Sequence, residues 1–271
     1  MSVRKLLCAL ALVWAAPVWA EAPRRVVSLD YCADQFVLAL ADREQIAAVS
    51  RGARRDDSYF RDRARGLRQT RGTLEEVLAL HPDLVVRNWG GPWDAEHVYA
   101  RFGVPVLQVG DASDFALARA DLLDAARRLG HAARGETLAH DLDVRLARLA
   151  ATAPRDPPPV MYLSAGGAVA GTGVLMDALL RAAGGRNLWT EASWTVLPLE
   201  RMVELPPALI ALGFFDTGRT RMNSWAPSRH PVLQRALVRA RTVTLPAPII
   251  ACEAWYAIDA AEIIADALHA P

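Results

Sequence analysis

Residues Leu74 to Val86 read LEEVLALHPDLVV, and Leu199 to Ala211 read LERMVELPPALIA. Aligned without a gap, the two share Leu74/Leu199, Glu75/Glu200, Leu80/Leu205, Pro82/Pro207 and Leu84/Leu209, with Val77/Met202, Leu78/Val203 and Val85/Ile210 conservatively matched. Apolar positions 74, 77 and 78 follow a helical stripe, and each proline ends its helix because it lacks an N–H and clashes with the preceding turn. The first copy opens on a capping box: Thr73 accepts from the amide of Glu76 while Glu76 reaches back. Each copy is therefore a helix, a stop and a short apolar run that reads as a buried strand. The copies lie about 125 residues apart (199 minus 74), well beyond the roughly 20 to 50 residue period of a solenoid. The spacing predicts one duplicated lobe.

The flanking sequence repeats the same grammar. Strands are expected at Arg25 to Leu29, Ile46 to Ser50, Leu84 to Arg87 and Val104 to Val109, with helices over Asp34 to Ala41 and around Glu96 to Phe102. Helical stretches from Asp114 to Leu129 and Ala132 to Ala151 precede the proline-rich break at 154–159, and strand Val160 to Ser164 opens the second half. Helix Leu175 to Ala183, helix Val232 to Ala240, strand Thr242 to Leu245 and helix Asp259 to Leu268 complete it. Strands alternating with helices through short connections imply an α/β fold with mostly parallel sheets. The expected organisation is a signal peptide at 1–20, an N-terminal lobe at 21–113, a helical connector at 114–153 and a C-terminal lobe at 154–271.

The start of the chain reads as a targeting segment. Arg4 and Lys5 precede an apolar run from Leu6, and Val18-Trp19-Ala20 precedes Glu21, the pattern of a secretory signal cleaved after Ala20. The expected location is the periplasm of a bacterium. No later stretch reaches the roughly 18 to 20 apolar residues of a membrane span. With 271 residues and 52% hydrophobic composition the chain can fill two cores, and a net charge of +1 leaves no nucleic-acid footprint.

Lys5 is the sole lysine. Either this reflects compositional bias, or some of the arginines are selected as bidentate readers of anionic oxygens. Beyond Cys8, Cys32 and Cys252 remain, and an even count in an oxidising compartment invites a disulfide between them. Two separately buried thiols are the alternative, because the distance between them is a property of the fold.

Taken together, these segments resemble the cobalamin and ferric-siderophore periplasmic binding proteins of ABC importers. The resemblance rests on RVVSLDYCADQFVLALADREQIAAVS (25–50), GTLEEVLALHPDLVV (72–86) with its Trp-Gly-Gly turn, the helical connector, and RAAGGRNLW (181–189) with LPLERMVELPPALIAL (197–212). It implies two lobes joined by a single backbone helix, a class III-like periplasmic binding protein, with ligand held in the cleft between them. It also implies a monomer, no catalytic activity and no resident cofactor, the metal chelate being cargo. In such proteins a glutamate at the start of the equivalent helix in each lobe pairs with arginines on the two permease subunits, and those positions match Glu75 and Glu200. The helix dipole alone favours a carboxylate there by about 0.3 to 1 kcal/mol, which accounts for one such glutamate but not for two at matched positions.

In parallel α/β sheets ligands sit beyond the carboxyl ends of the strands. That rule selects loops carrying Tyr31, Arg51, Arg54, Arg87, Trp89, Trp93, Arg219, Trp225, Trp255 and Tyr256 as candidate ligand contacts. Their aromatic rings can pack on a flat macrocycle or a catecholate, and their guanidinium groups can fork onto carboxylates. Cobalamin binders of the resembled family place aromatics after the second strand and before the first repeat helix, where this chain has Arg51 to Arg55, Gln69 and Arg71. The expected cargo is accordingly a ferric siderophore first and a corrinoid next. Haem would need an axial Tyr or His, for which Tyr31, Tyr59 and Tyr256 are placed. A free Zn or Mn binder would need converging ligands, yet the six His at 81, 97, 131, 140, 230 and 269 fall mostly in helices or at their ends. An exported enzyme is the other class, but no serine elbow or HExxH motif appears, and adjacent Asp56 and Asp57 make a poor acid/base pair.

Overall fold

The run Val26-Val27-Ser28 is apolar enough to be buried on both faces, and it forms the central strand of the first sheet, β1 (Val26–Ser28). A computed structural model describes residues 21–198, 201, 207–215 and 231–270. The signal-peptide stretch, Glu200, Arg219 and Trp225 lie outside the described residues.

Strand β1 pairs in parallel with β2 (Ile46–Ser50) on one side and β4 (Leu84–Arg87) on the other. With β3 (Gln69–Thr70) and β5 (Val106–Gln108) the order is β3-β2-β1-β4-β5. The second sheet is built around β6 (Pro159–Ser164), which pairs in parallel with β10 (Leu209–Gly213), itself parallel to β11 (Thr242–Leu245). On the far side β7 (Ala168–Ala170) runs antiparallel to β6 and pairs with β9 (Trp194–Val196), while β8 (Arg186–Asn187) adds a short parallel pairing to β6. The two strands of the sequence repeat, β4 and β10, occupy the same place, each beside the first strand of its sheet. The duplication is thus one of topology as well as of sequence.

Nine α-helices lie among the described residues: α1 (Tyr31–Leu40), α2 (Leu74–Leu78), α3 (Ala95–Ala100), α4 (Phe115–Arg128), α5 (Ala132–Thr152), α6 (Leu175–Ala182), α7 (Pro231–Arg239), α8 (Ala247–Ile250) and α9 (Ile258–His269). Three depart from the sequence reading, the short α8 having no counterpart in it. Helix α1 begins at Tyr31, three residues earlier than expected, because Asp30 caps it. Helix α2 is one turn long and lacks the reciprocal capping box: Thr73 Oγ1 accepts from the Glu76 amide at 3.4 Å, but the Glu76 carboxylate accepts from the amide and guanidinium of Arg71 instead. The connector region holds two helices, of which the 21-residue α5 spans roughly 30 Å and leads into β6.

The two sheets share one large apolar cluster that includes Val26, Phe36, Leu122, Leu142, Tyr162, Leu179 and Trp255. It is continuous because the chain returns from the second lobe after β11 and lays residues 252–257 against α1. There Cys32 and Cys252 form a disulfide with Cα atoms 5.5 Å apart. Trp255 packs edge-on to Phe36 at 5.1 Å, and Tyr256 stacks on Tyr59 at 4.2 Å. The Tyr59 hydroxyl donates to Asp259 Oδ2 at 2.7 Å, and Arg145 of α5 donates to Asp259 Oδ1 at 2.6 Å and to Glu262 Oε1 at 3.0 Å. First lobe, backbone helix and C-terminal helix are therefore joined by one polar network above an apolar floor.

Candidate functional site

The site is built outward from Asp30, a buried carboxylate at the end of β1. Its Oδ1 accepts from the amides of Cys32 (3.1 Å) and Ala33 (2.9 Å), capping α1. Its Oδ2 accepts from the amides of Asn88 (2.8 Å), Trp89 (3.1 Å) and Gly90 (2.8 Å). One side chain thus holds the turn after β4 against the start of α1. Gly90 is required at this approach, since a Cβ there would lie 2.7 Å from the Leu29 carbonyl oxygen. The clamp presents Trp89, 60% exposed, edge-on to Tyr31 at 6.0 Å.

The facing wall comes from the second lobe. Tyr162 in β6 lies over Gly213, where any Cβ would fall 2.0 Å from the Tyr162 hydroxyl, so a glycine in β10 makes room for the ring. Trp194, at the start of edge strand β9, meets Tyr162 edge-on at 5.5 Å. Leu175, Met176 and Leu179 of α6 and Phe214 after β10 extend the apolar surface. The disulfide and Ala251 form the base, where the Ala251 carbonyl accepts from the Tyr31 hydroxyl at 3.3 Å. These walls enclose about 310 Å³ between the lobes, at the small end of ligand sites. Burial pushes the Tyr31 phenol above its ordinary range, opposed by Arg55, whose guanidinium sits 4.6 Å from the ring centroid. Burial also holds the Glu253 carboxyl, at the cavity edge, above its usual value, with Asp111 adding to the effect.

The structure sorts the candidate residues. Tyr31, Trp89, Cys32 and Cys252 line the cavity. Arg51 is exposed, and Arg54 is turned to its own loop, donating to the carbonyls of Ala64 (3.3 Å) and Leu67 (3.0 Å). Arg87 donates to the Trp93 carbonyl at 3.4 Å, and neither side chain lines the cavity; Trp93 is 98% exposed. Trp255 and Tyr256 are core residues, buried against Phe36, Phe60 and Tyr59. Of the three tyrosines considered for an axial role, only Tyr31 reaches the cavity, while Tyr59 is committed to Asp259. Glu75 is exposed in the first turn of α2. Sequence reading missed Tyr162, Trp194, Met176 and Glu253. A strand register places the first, and an edge hairpin invisible to hydrophobic periodicity places the second.

Among the described residues no three His, Cys, Asp or Glu side chains converge as metal ligands, and no helix is long and apolar enough to cross a membrane. A family model described as "Periplasmic binding protein" matches residues 26–218. The chain belongs to that family. Membership makes it a solute-binding protein, and periplasmic binding proteins of this class hand their ligand to ABC importer permeases. This periplasmic binding protein is similar in fold to the periplasmic heme-binding protein RhuT from Roseiflexus sp. RS-1, at 22% identity and TM-score 0.71 over 91% of this chain and 98% of that one. It is likewise similar to a periplasmic heme binding protein from Pseudomonas aeruginosa (23%, TM-score 0.67, 90% and 92%) and to the vitamin B12 binding protein BtuF of Vibrio cholerae (19%, TM-score 0.69, 91% and 96%). No curated protein matches by sequence.

Proposed function

We propose that this periplasmic binding protein captures a flat, metal-chelating macrocycle between its lobes and delivers it to an ABC importer. The observation that carries the reading is the cavity lining. Trp89 and Tyr31 face Tyr162, Trp194 and Phe214, and no arginine lines the space among the described residues. Aromatic faces gain both apolar burial and oriented ring contacts against an extended π-system. An anionic ferric siderophore, the first expectation from the sequence, would need cationic partners, and none of Arg51, Arg54 and Arg87 lines the cavity. The similar structures include a heme-binding and a vitamin B12 binding protein, whose ligands are macrocycles of the kind such walls suit. A volume near 310 Å³ holds one face of such a ring and leaves its rim in the open cleft.

Delivery rests on export by the signal peptide, cleaved after Ala20, on a monomeric form, and on Glu75 with Glu200 as the acidic contacts with the permease dimer. The test is titration of purified protein with cyanocobalamin, haemin and a ferric catecholate siderophore, reading absorbance and Trp emission together. Saturable quenching by a macrocycle, lost in Trp89→Ala, is expected. Tight binding of the siderophore alone overturns the macrocycle.

A further inference from the structure

One charged side chain lines the cavity among the described residues, and it is acidic: Glu253. It is contributed by the segment that returns from the second lobe, directly after Cys252 of the disulfide, so its backbone is anchored to α1. Asp111, at the end of the first sheet, is close enough to act on it electrostatically. Asn88 Nδ2 donates to Asp111 Oδ1 at 3.4 Å, which places this second carboxylate beside the turn that carries Trp89. The carboxyl of Asp121 in α4 is pushed up to about 6, by burial first and then by Asp111 and Asp124. The negative potential at this edge therefore comes from both lobes.

A half-buried carboxylate without a cation in the lining is a strong acceptor for N–H groups and a poor neighbour for another carboxylate. Like charges brought together at a desolvated interface disfavour the wrong partner, and a negative neighbour raises the cost of ionisation of any acid placed there. We infer that Glu253 selects the ligand by its rim: it accepts hydrogen bonds from carboxamide or ammonium donors at the edge of the macrocycle and rejects rims that carry carboxylates. This inference rests on the macrocycle reading of the cavity and adds to it the chemistry of the periphery.

The test uses two corrinoids that share a ring and differ at the rim, dicyanocobinamide with carboxamides and dicyanocobyrinic acid with carboxylates. Each is titrated into the wild-type protein, Glu253→Gln and Asp111→Asn by Trp quenching at pH 7. The wild type is expected to favour the amide by about tenfold or more. Glu253→Gln is expected to reduce that preference to about threefold or less by gaining affinity for the acid, with Asp111→Asn, which leaves the cavity lining intact, moving it the same way by a smaller factor. Binding of both corrinoids with a ratio unchanged in Glu253→Gln overturns the selector and leaves the macrocycle reading standing. Failure of the wild type to bind either corrinoid, or a preference for the acid, overturns the selector, and absence of binding to haemin as well removes the macrocycle reading beneath it.

Discussion

The carboxylate of Asp30 accepts the backbone amide of Trp89 at 3.1 Å, and with four further amides it ties the cavity's most exposed aromatic to the first turn of α1. Ligand wall and helix cap are thereby one structure. Asp30→Ala would leave buried amides without an acceptor, each costing roughly 1 to 3 kcal/mol where no water reaches. The expected loss in chemical denaturation is about 3 kcal/mol or more, together with weaker ligand quenching of Trp emission. Loss of stability with quenching affinity intact would show that the Trp89 turn keeps its shape without the clamp.

The Cys32–Cys252 disulfide closes a loop of 220 residues. In the chain-entropy account such a loop corresponds to at most about 5 kcal/mol, less any residual order in the unfolded chain. Cys32→Ser with Cys252→Ser is expected to lower the melting temperature clearly and, because both residues line the cavity, to widen the cleft. Small-angle scattering and ligand affinity check the second part; identical scattering profiles for reduced and oxidised protein would count against a restraining role.

Asp34, buried in α1, accepts from the Ser50 amide at 2.9 Å and the Ser50 hydroxyl at 2.6 Å. Burial pushes its carboxyl up to about 6, against the opposing effect of those hydrogen bonds. A folded value above the unfolded one of 3.8 means that the protonated form is favoured by folding. Its contribution is fully present below about pH 4 and is lost as pH rises through 6. Asp34→Asn keeps the shape without the charge, and should be the more stable protein at pH 7 to 8, by on the order of 3 kcal/mol, with the gap closing at pH 4. A melting temperature lowered equally at every pH refutes the argument.

Glu75 is exposed at the start of α2. Glu75→Arg combined with Glu200→Arg should abolish importer-dependent uptake while leaving ligand affinity in the purified protein unchanged. Unaltered uptake removes the docking assignment. Single exposed ion pairs contribute only about 0.2 to 1 kcal/mol, so charge reversal, which adds repulsion, is the informative change.

Helix and strand positions were largely legible, since periodicity and proline stops are local signals. Val26, Ile46, Leu84 and Val160 sit in strands where an apolar run between turn residues places them, and the repeat places β4 and β10 in matching positions. The start of α1 was read late because the capping role of Asp30 depends on where its carboxylate meets the Asn88 turn. The loop rule found Tyr31 and Trp89 but also chose Trp255 and Tyr256, which share a loop with Cys252 and yet turn into the core.

Chain order alone was enough to settle that this is a duplicated, mostly parallel α/β protein with glutamates at matched positions of its repeat, Glu75 and Glu200, and the two cysteines Cys32 and Cys252 far apart in the chain. These are properties of spacing, and spacing survives without contacts. Which side chains enclose a ligand was decided by tertiary structure. A strand sends alternate residues to opposite faces, and Tyr162 reaches the cavity from β6 because Gly213 of the neighbouring strand leaves room for its ring. Arginines that look free in a loop find carbonyls of that loop, as Arg54 does. The aromatic, arginine-free lining of the described cavity, with Glu253 at its edge, follows from long-range packing that no local pattern encodes.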